Sequence, residues 1–206
     1  MSFLEPRTAR TSPAPLTAGA PLLTALLLAF SFAPEAPATA EDAASAAAVG
    51  VAAPSPSPVA IFIVRHAEKE TDVGRDPNLN EAGRSRAGTD LVELLDGAPI
   101  DAAYVTQWRR TQQTAAPLLE RLGLEPEVVE TDDGFEAALA RRLLTEHPGE
   151  TLLVVGHSNT NPALIEALGA PPPTIDDHDY DDVYLVLFPA VGDARLVRLG
   201  YGRPTP

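Results

Sequence analysis

Two apolar rhythms alternate along the chain. Short runs rich in β-branched residues, "VAIFIV" at 59–64 and "TLLVVG" at 151–156, contain no polar alternation. Such runs read as strands buried on both faces. Shorter runs of the same kind occur at 101–106 ("DAAYVT") and 127–130 ("EVVE"). "DVYLVLF" (182–188) and "ARLVRLG" (194–200) form a closing hairpin-like pair around Val191-Gly192-Asp193. Between the runs, apolar positions recur at helical spacing. The spacing predicts helices over 80–95, with Leu91, Leu94 and Leu95 on one face, and over 109–122, closed by Gly123. Two further helices are predicted over 135–146 and about 162–168, the first preceded by Asp133 and Glu136 at the spacing of a capping box. Strands alternating with amphipathic helices imply an α/β fold, a three-layer αβα sandwich around a mainly parallel central sheet.

Residues 1–58 lack this pattern. Arg7 and Arg10 precede a 13-residue apolar stretch, 21–33, and Ala38-Thr39-Ala40 has the form of a cleavage site. A bilayer span needs about 20 apolar residues, so 1–40 reads as a signal peptide for export to the periplasm or the cell exterior. The alternative is an uncleaved N-terminal anchor; with cleavage, no stable membrane insertion is expected. The tract 41–58, "EDAASAAAVGVAAPSPSP", has almost nothing to bury and reads as an extended linker. The folded domain is expected over 59–206.

The formal charge of −14 argues against nucleic acid as a partner, because phosphate backbones need a basic footprint. It also means that an anionic substrate must be drawn in by a local cationic pocket. The chain has no cysteine, which removes disulfides and thiolate chemistry. Three polar clusters then stand out. Arg65-His66 follows the first strand, Arg109-Arg110 the second, and Gly156-His157-Ser158-Asn159 the fourth. In mainly parallel sheets ligands bind beyond the carboxyl ends of the strands, so the three clusters can converge.

Two histidines and two or three arginines around one point suit a phosphate. Arginine matches phosphate oxygens bidentately and stays charged. A neutral histidine can attack phosphorus through one ring nitrogen while the other is held by a hydrogen bond. A second, protonated histidine can bind the equatorial oxygens of the transferring group. Phosphoryl transfer asks mainly for positioning and charge neutralisation, so this inventory needs no metal or organic cofactor.

"VRHAEK" (64–69), "TQWRRTQQTA" (106–115) and "VVGHSN" (154–159) resemble the three signature blocks of the histidine phosphatase, or phosphoglycerate-mutase-like, superfamily. The resemblance spans 59–201 and implies a phosphoglycerate mutase-like fold. It implies that His66 is the phosphohistidine-forming nucleophile, that Arg65 and Arg110 are phosphate ligands, and that His157 is the second pocket histidine. "DPNLNEAG" (76–83) also resembles the family, with Leu79 and Gly83 as structural markers. Ser158 stands where the large acid phosphatases have an aspartate proton donor. Asp133 and Glu136, in "TDDGFEAA" (131–138), are the candidate donors here. The segment between blocks is too short for a lid domain, so an open pocket is expected.

The implied activity is an exported phosphatase acting on phosphorylated small molecules. A phosphoryl transferase or mutase, and a non-catalytic phospho-ligand binding module, are the alternatives. Elsewhere, His147 reads as a solvated helix-end residue and His178 as part of a solvated acidic loop, "IDDHDYDD" (175–182). Glu68 and Lys69 read as an exposed ion pair, and Trp108 as packing at the pocket rim.

Overall fold

Six strands form one sheet in the order β3-β2-β4-β1-β5-β6. They are β1 (Val59–Arg65), β2 (Ala102–Thr106), β3 (Glu127–Val129), β4 (Thr151–Gly156), β5 (Asp182–Phe188) and β6 (Arg195–Gly200). The structure is a computed structural model that describes residues 57–71, 73–189 and 192–205. The signal expected over 1–40, nearly all of the 41–58 tract, and Val191 in the turn between β5 and β6 lie outside the described residues. Pairing is parallel from β3 through β2 and β4 to β1. β5 runs antiparallel to β1, and β6 to β5.

Helices cover both faces, which is why β1 and β4 are apolar without alternation. On one face α4 (Phe135–Glu146) and α5 (Thr160–Ala167) place Leu139, Leu143, Leu164 and Ile165 against Ile61, Ile63, Leu152 and Val154. On the other, α2 (Leu91–Leu95) and α3 (Arg109–Leu122) pack Leu91, Leu95, Leu118 and Leu119 against Val64, Val105, Leu153 and Val155. Each fully buried aliphatic side chain of this kind contributes about 1.5–3 kcal/mol.

Four local expectations are corrected. The helix expected over 80–95 consists of α1 (Glu81–Ser85), a π-helical turn over Arg86–Asp90, and α2. Arg86, buried inside that turn, reaches Glu68 at 2.8 Å and donates to the Tyr201 and Arg203 carbonyls. Glu68 is therefore held in a mostly buried ion pair with Arg86, not in an exposed one with Lys69. The capping box before α4 does not form. Gly134 takes the cap position with φ 80°, and the Phe135 N–H donates to the Asp132 carbonyl. Glycine adopts that left-handed conformation at no steric cost, so neither carboxylate is needed there. Finally, α5 begins at Thr160, whose Oγ1 accepts from the His157 N–H at 3.1 Å.

Candidate active site

The ends of β1, β4 and β2 deliver their polar residues to one place because of strand register. Arg65 pairs with Gly156, and the His66 N–H extends the ladder by donating to the Gly156 carbonyl at 2.9 Å. The His66 and His157 rings consequently lie 5.3 Å apart between centroids, edge to face. Arg110, in the first turn of α3, places Nη2 3.5 Å from His157 Nδ1. Together with Arg65 these residues line a cleft of about 550 Å³.

Starting a helix with two arginines opposes its dipole. Asp76 resolves this, since Oδ1 accepts from the Arg109 N–H at 2.9 Å while Oδ2 lies 3.3 Å from Arg109 Nε. Its carboxylate is also 4.0 Å from Arg110 Nη1. Trp108, at the cap position, offers no side-chain cap of its own. Its ring sits at the cleft rim with the Arg110 guanidinium 5.1 Å from its centroid.

The tautomers follow from the partners. His66 Nδ1 lies 2.8 Å from the Ala67 carbonyl, which only accepts, so Nδ1 carries the proton and Nε2 keeps its lone pair. Burial pushes His66 down to about 3, with His157, Arg65 and Arg110 acting in the same direction and the Ala67 bond against it. His66 is neutral at pH 7.

His157 is also neutral, which corrects the expectation of a protonated second histidine. Burial and then Arg110 and Arg65 lower it to about 4. Its Nδ1 faces a guanidinium that can only donate, so Nε2–H donates to Thr106 Oγ1 at 3.0 Å. The hydroxyls continue the chain from Thr106 to Thr111, 2.9 Å, and on to the Trp108 carbonyl, 2.7 Å.

Arg65 differs from the simple picture of a phosphate ligand. Its Nη1 donates to the carbonyls of Asp176, 2.7 Å, and Asp179, 2.9 Å, while Nη2 donates to that of Asp177, 3.0 Å. The guanidinium also stacks over Tyr180 at 4.1 Å. Only Nε remains. Arg65 Nε, Arg110 Nε and Arg110 Nη1 are buried donors without a hydrogen-bond partner among the described residues. Buried donors are normally paired, and three such donors from two arginines suit an anion.

Asp133 and Glu136 both line the cleft, Glu136 half-buried and Asp133 exposed. Among the described residues, no group of three or more His, Asp and Glu side chains is placed to hold a metal ion. His178 is exposed, as expected. His147 is not solvated. It is mostly buried, with Nε2 2.7 Å from the Tyr104 hydroxyl and Nδ1 2.5 Å from Glu150, remote from the cleft lining.

The family model described as "Histidine phosphatase superfamily (branch 1)" matches residues 61–136, the stretch that carries His66 and Arg110. That stretch of the chain is similar to the histidine phosphatase superfamily (branch 1). The sheet order and helical layers match known phosphoglycerate mutase-like structures. A mutant phosphoserine phosphatase from Entamoeba histolytica, solved with phosphoserine, superposes with a TM-score of 0.54 at 16% identity. That match covers 67% of this chain and 94% of the other. The protein histidine phosphatase SixA, complexed with tungstate, gives 0.53 at 20% identity, covering 68% and 96%. A mycobacterial glucosyl-3-phosphoglycerate phosphatase gives 0.50 at 20%, covering 63% and 90%. At these identities the superpositions establish the fold. No curated protein matches the chain by sequence.

Proposed function

We propose that this chain is a histidine phosphatase superfamily enzyme that hydrolyses phosphate monoesters of small molecules through a phosphohistidine on His66, and that residues 1–40 direct its export. The observation that carries the mechanism is the 2.8 Å bond from His66 Nδ1 to the Ala67 carbonyl, which leaves Nε2 free beside Arg110 and His157. Nε2 attacks phosphorus, the bond to the leaving oxygen breaks, and Glu136 or Asp133 gives that oxygen a proton. Water then attacks the phosphohistidine and returns a proton to the carboxylate. The P–N bond breaks, and inorganic phosphate leaves.

Arg110 and the Nε of Arg65 stabilise charge on the transferring group, and His157 adds a nitrogen beside it. Glu136 is the better placed donor, being half-buried on the cleft wall with no ion-pair partner among the described residues. The relatives solved with phosphoserine and with 3-phosphoglyceric acid support the choice of small phosphorylated substrates. His66→Ala assayed on an aryl phosphate is expected to lose activity by at least about a thousandfold. Turnover near the wild-type level would remove the mechanism.

A further inference from the structure

The cleft changes sign between its floor and its mouth. At the floor, Arg65 is 5% exposed and its buried Nε makes no hydrogen bond among the described residues, nor do the Nε and Nη1 of Arg110, the latter 4.0 Å from Asp76. At the mouth stand four carboxyl groups, of which Glu136 or Asp133 carries the proton for the leaving oxygen and the others are carboxylates. Asp132 and Asp133 come from the segment between β3 and α4, Glu136 from the first turn of α4, and Asp177 from the loop before β5. None of the four is in an ion pair among the described residues. Asp177 Oδ1 only accepts a long bond from Ser158, at 3.4 Å. Lys69 is the single lysine in the lining, and Arg75 lies over Trp108 outside it.

The Asp177 wall is also held in place. Three carbonyls of residues 176–179 accept from Arg65, and Tyr180 stacks on the same guanidinium. The residue that lends one donor to the floor therefore fixes the backbone that presents a carboxylate at the mouth.

Resting on the phosphatase reading above, we propose that the favoured substrates are small phosphate monoesters whose alcohol carries an ammonium group. Such a zwitterion places its phosphate against the arginines and its cation among the carboxylates. An alcohol bearing a second anion meets those carboxylates as like charges. The carboxylates are largely exposed, so the discrimination is moderate and weakens with salt.

The test compares three esters of similar size: 2-aminoethyl phosphate, 2-hydroxyethyl phosphate and phosphoglycolate, with an aryl phosphate as the common reference. At low salt kcat/KM is expected to fall in that order, with about tenfold between the first and last. In Asp132→Asn/Asp177→Asn the ratio of first to last should drop to about threefold or less. Neutralising two distant exposed carboxylates, Glu93→Gln/Glu166→Gln, should leave that ratio as in the wild type. Equal rates on the three esters, a reversed order, or an equal drop in the distant variant, with the aryl phosphate still hydrolysed, would overturn the ammonium preference alone. No hydrolysis of the aryl phosphate would instead overturn the phosphatase reading, and this inference with it.

Discussion

At the scale of single residues, the proposed nucleophile, His66, depends on the main chain of Ala67. The Ala67 carbonyl holds the His66 proton, and the Ala67 N–H donates to Thr114 Oγ1 at 2.9 Å. The Thr114 hydroxyl in turn donates to the Arg110 carbonyl at 2.7 Å. Thr114 thus positions the proposed nucleophile against Arg110. Thr114→Val keeps the shape but strands a buried N–H, at a cost of about 1–3 kcal/mol. The expected result is a drop in kcat of about tenfold or more with KM little changed, and substantial rescue by Thr114→Ser, read by steady-state kinetics. The grouping of His66, Arg110 and His157 was legible because each follows a strand whose burial can be read from composition. The Arg65 contacts were not legible, since they join residues more than a hundred positions apart through main-chain carbonyls that carry no side-chain signature. His147 was misread for a related reason. Helix-end position suggests solvent, but Tyr104 on β2 reaches it from below.

Among the elements, the loop after β1 is pinned by α1. Leu79 is 1% exposed and packs with Ala67 and Ala87. Its N–H donates to Gln113 on α3 at 2.8 Å. Gly83 lies so close to this loop that an added Cβ would overlap the Glu68 carbonyl oxygen and crowd its main-chain nitrogen. The obstacle is backbone, which cannot rotate aside. Gly83→Ala is expected to destabilise by about 2–3 kcal/mol and to displace the loop bearing His66, measurable as a lowered unfolding midpoint together with reduced kcat. Strand and helix spans were legible from the two apolar periods. The π-helical turn was not, because its cause is the reach of Arg86 to Glu68 and to the C-terminal carbonyls. The false capping box came from reading spacing without the glycine between: Gly134 caps through its backbone.

For the whole molecule, two buried neutral histidines couple folding to pH. Both have folded values far below the ordinary 6.5, about 3 for His66 and about 4 for His157, with burial the leading cause. Between those values and 6.5 the unfolded chain binds more protons, so stability is full above about pH 6.5 and is lost as pH falls. Each site contributes a slope of up to about 1.4 kcal/mol per pH unit in that window. Tm is expected to fall between pH 6.5 and 5, and to fall less steeply in His66→Asn. Equal slopes in the two proteins would show that His66 is not held neutral. The acidic surface, −14 overall, makes the cationic floor of the cleft more selective, since an anion gains only there.

The central claim is that two displacements occur at phosphorus, the first by His66 and the second by water. Each in-line displacement inverts phosphorus, so hydrolysis of an ester made chiral at phosphorus with oxygen isotopes, using isotopically distinct water, distinguishes the routes. Retention of configuration in the released phosphate is the expected result. Inversion would mean that water attacks the ester directly, and would contradict a covalent intermediate on His66.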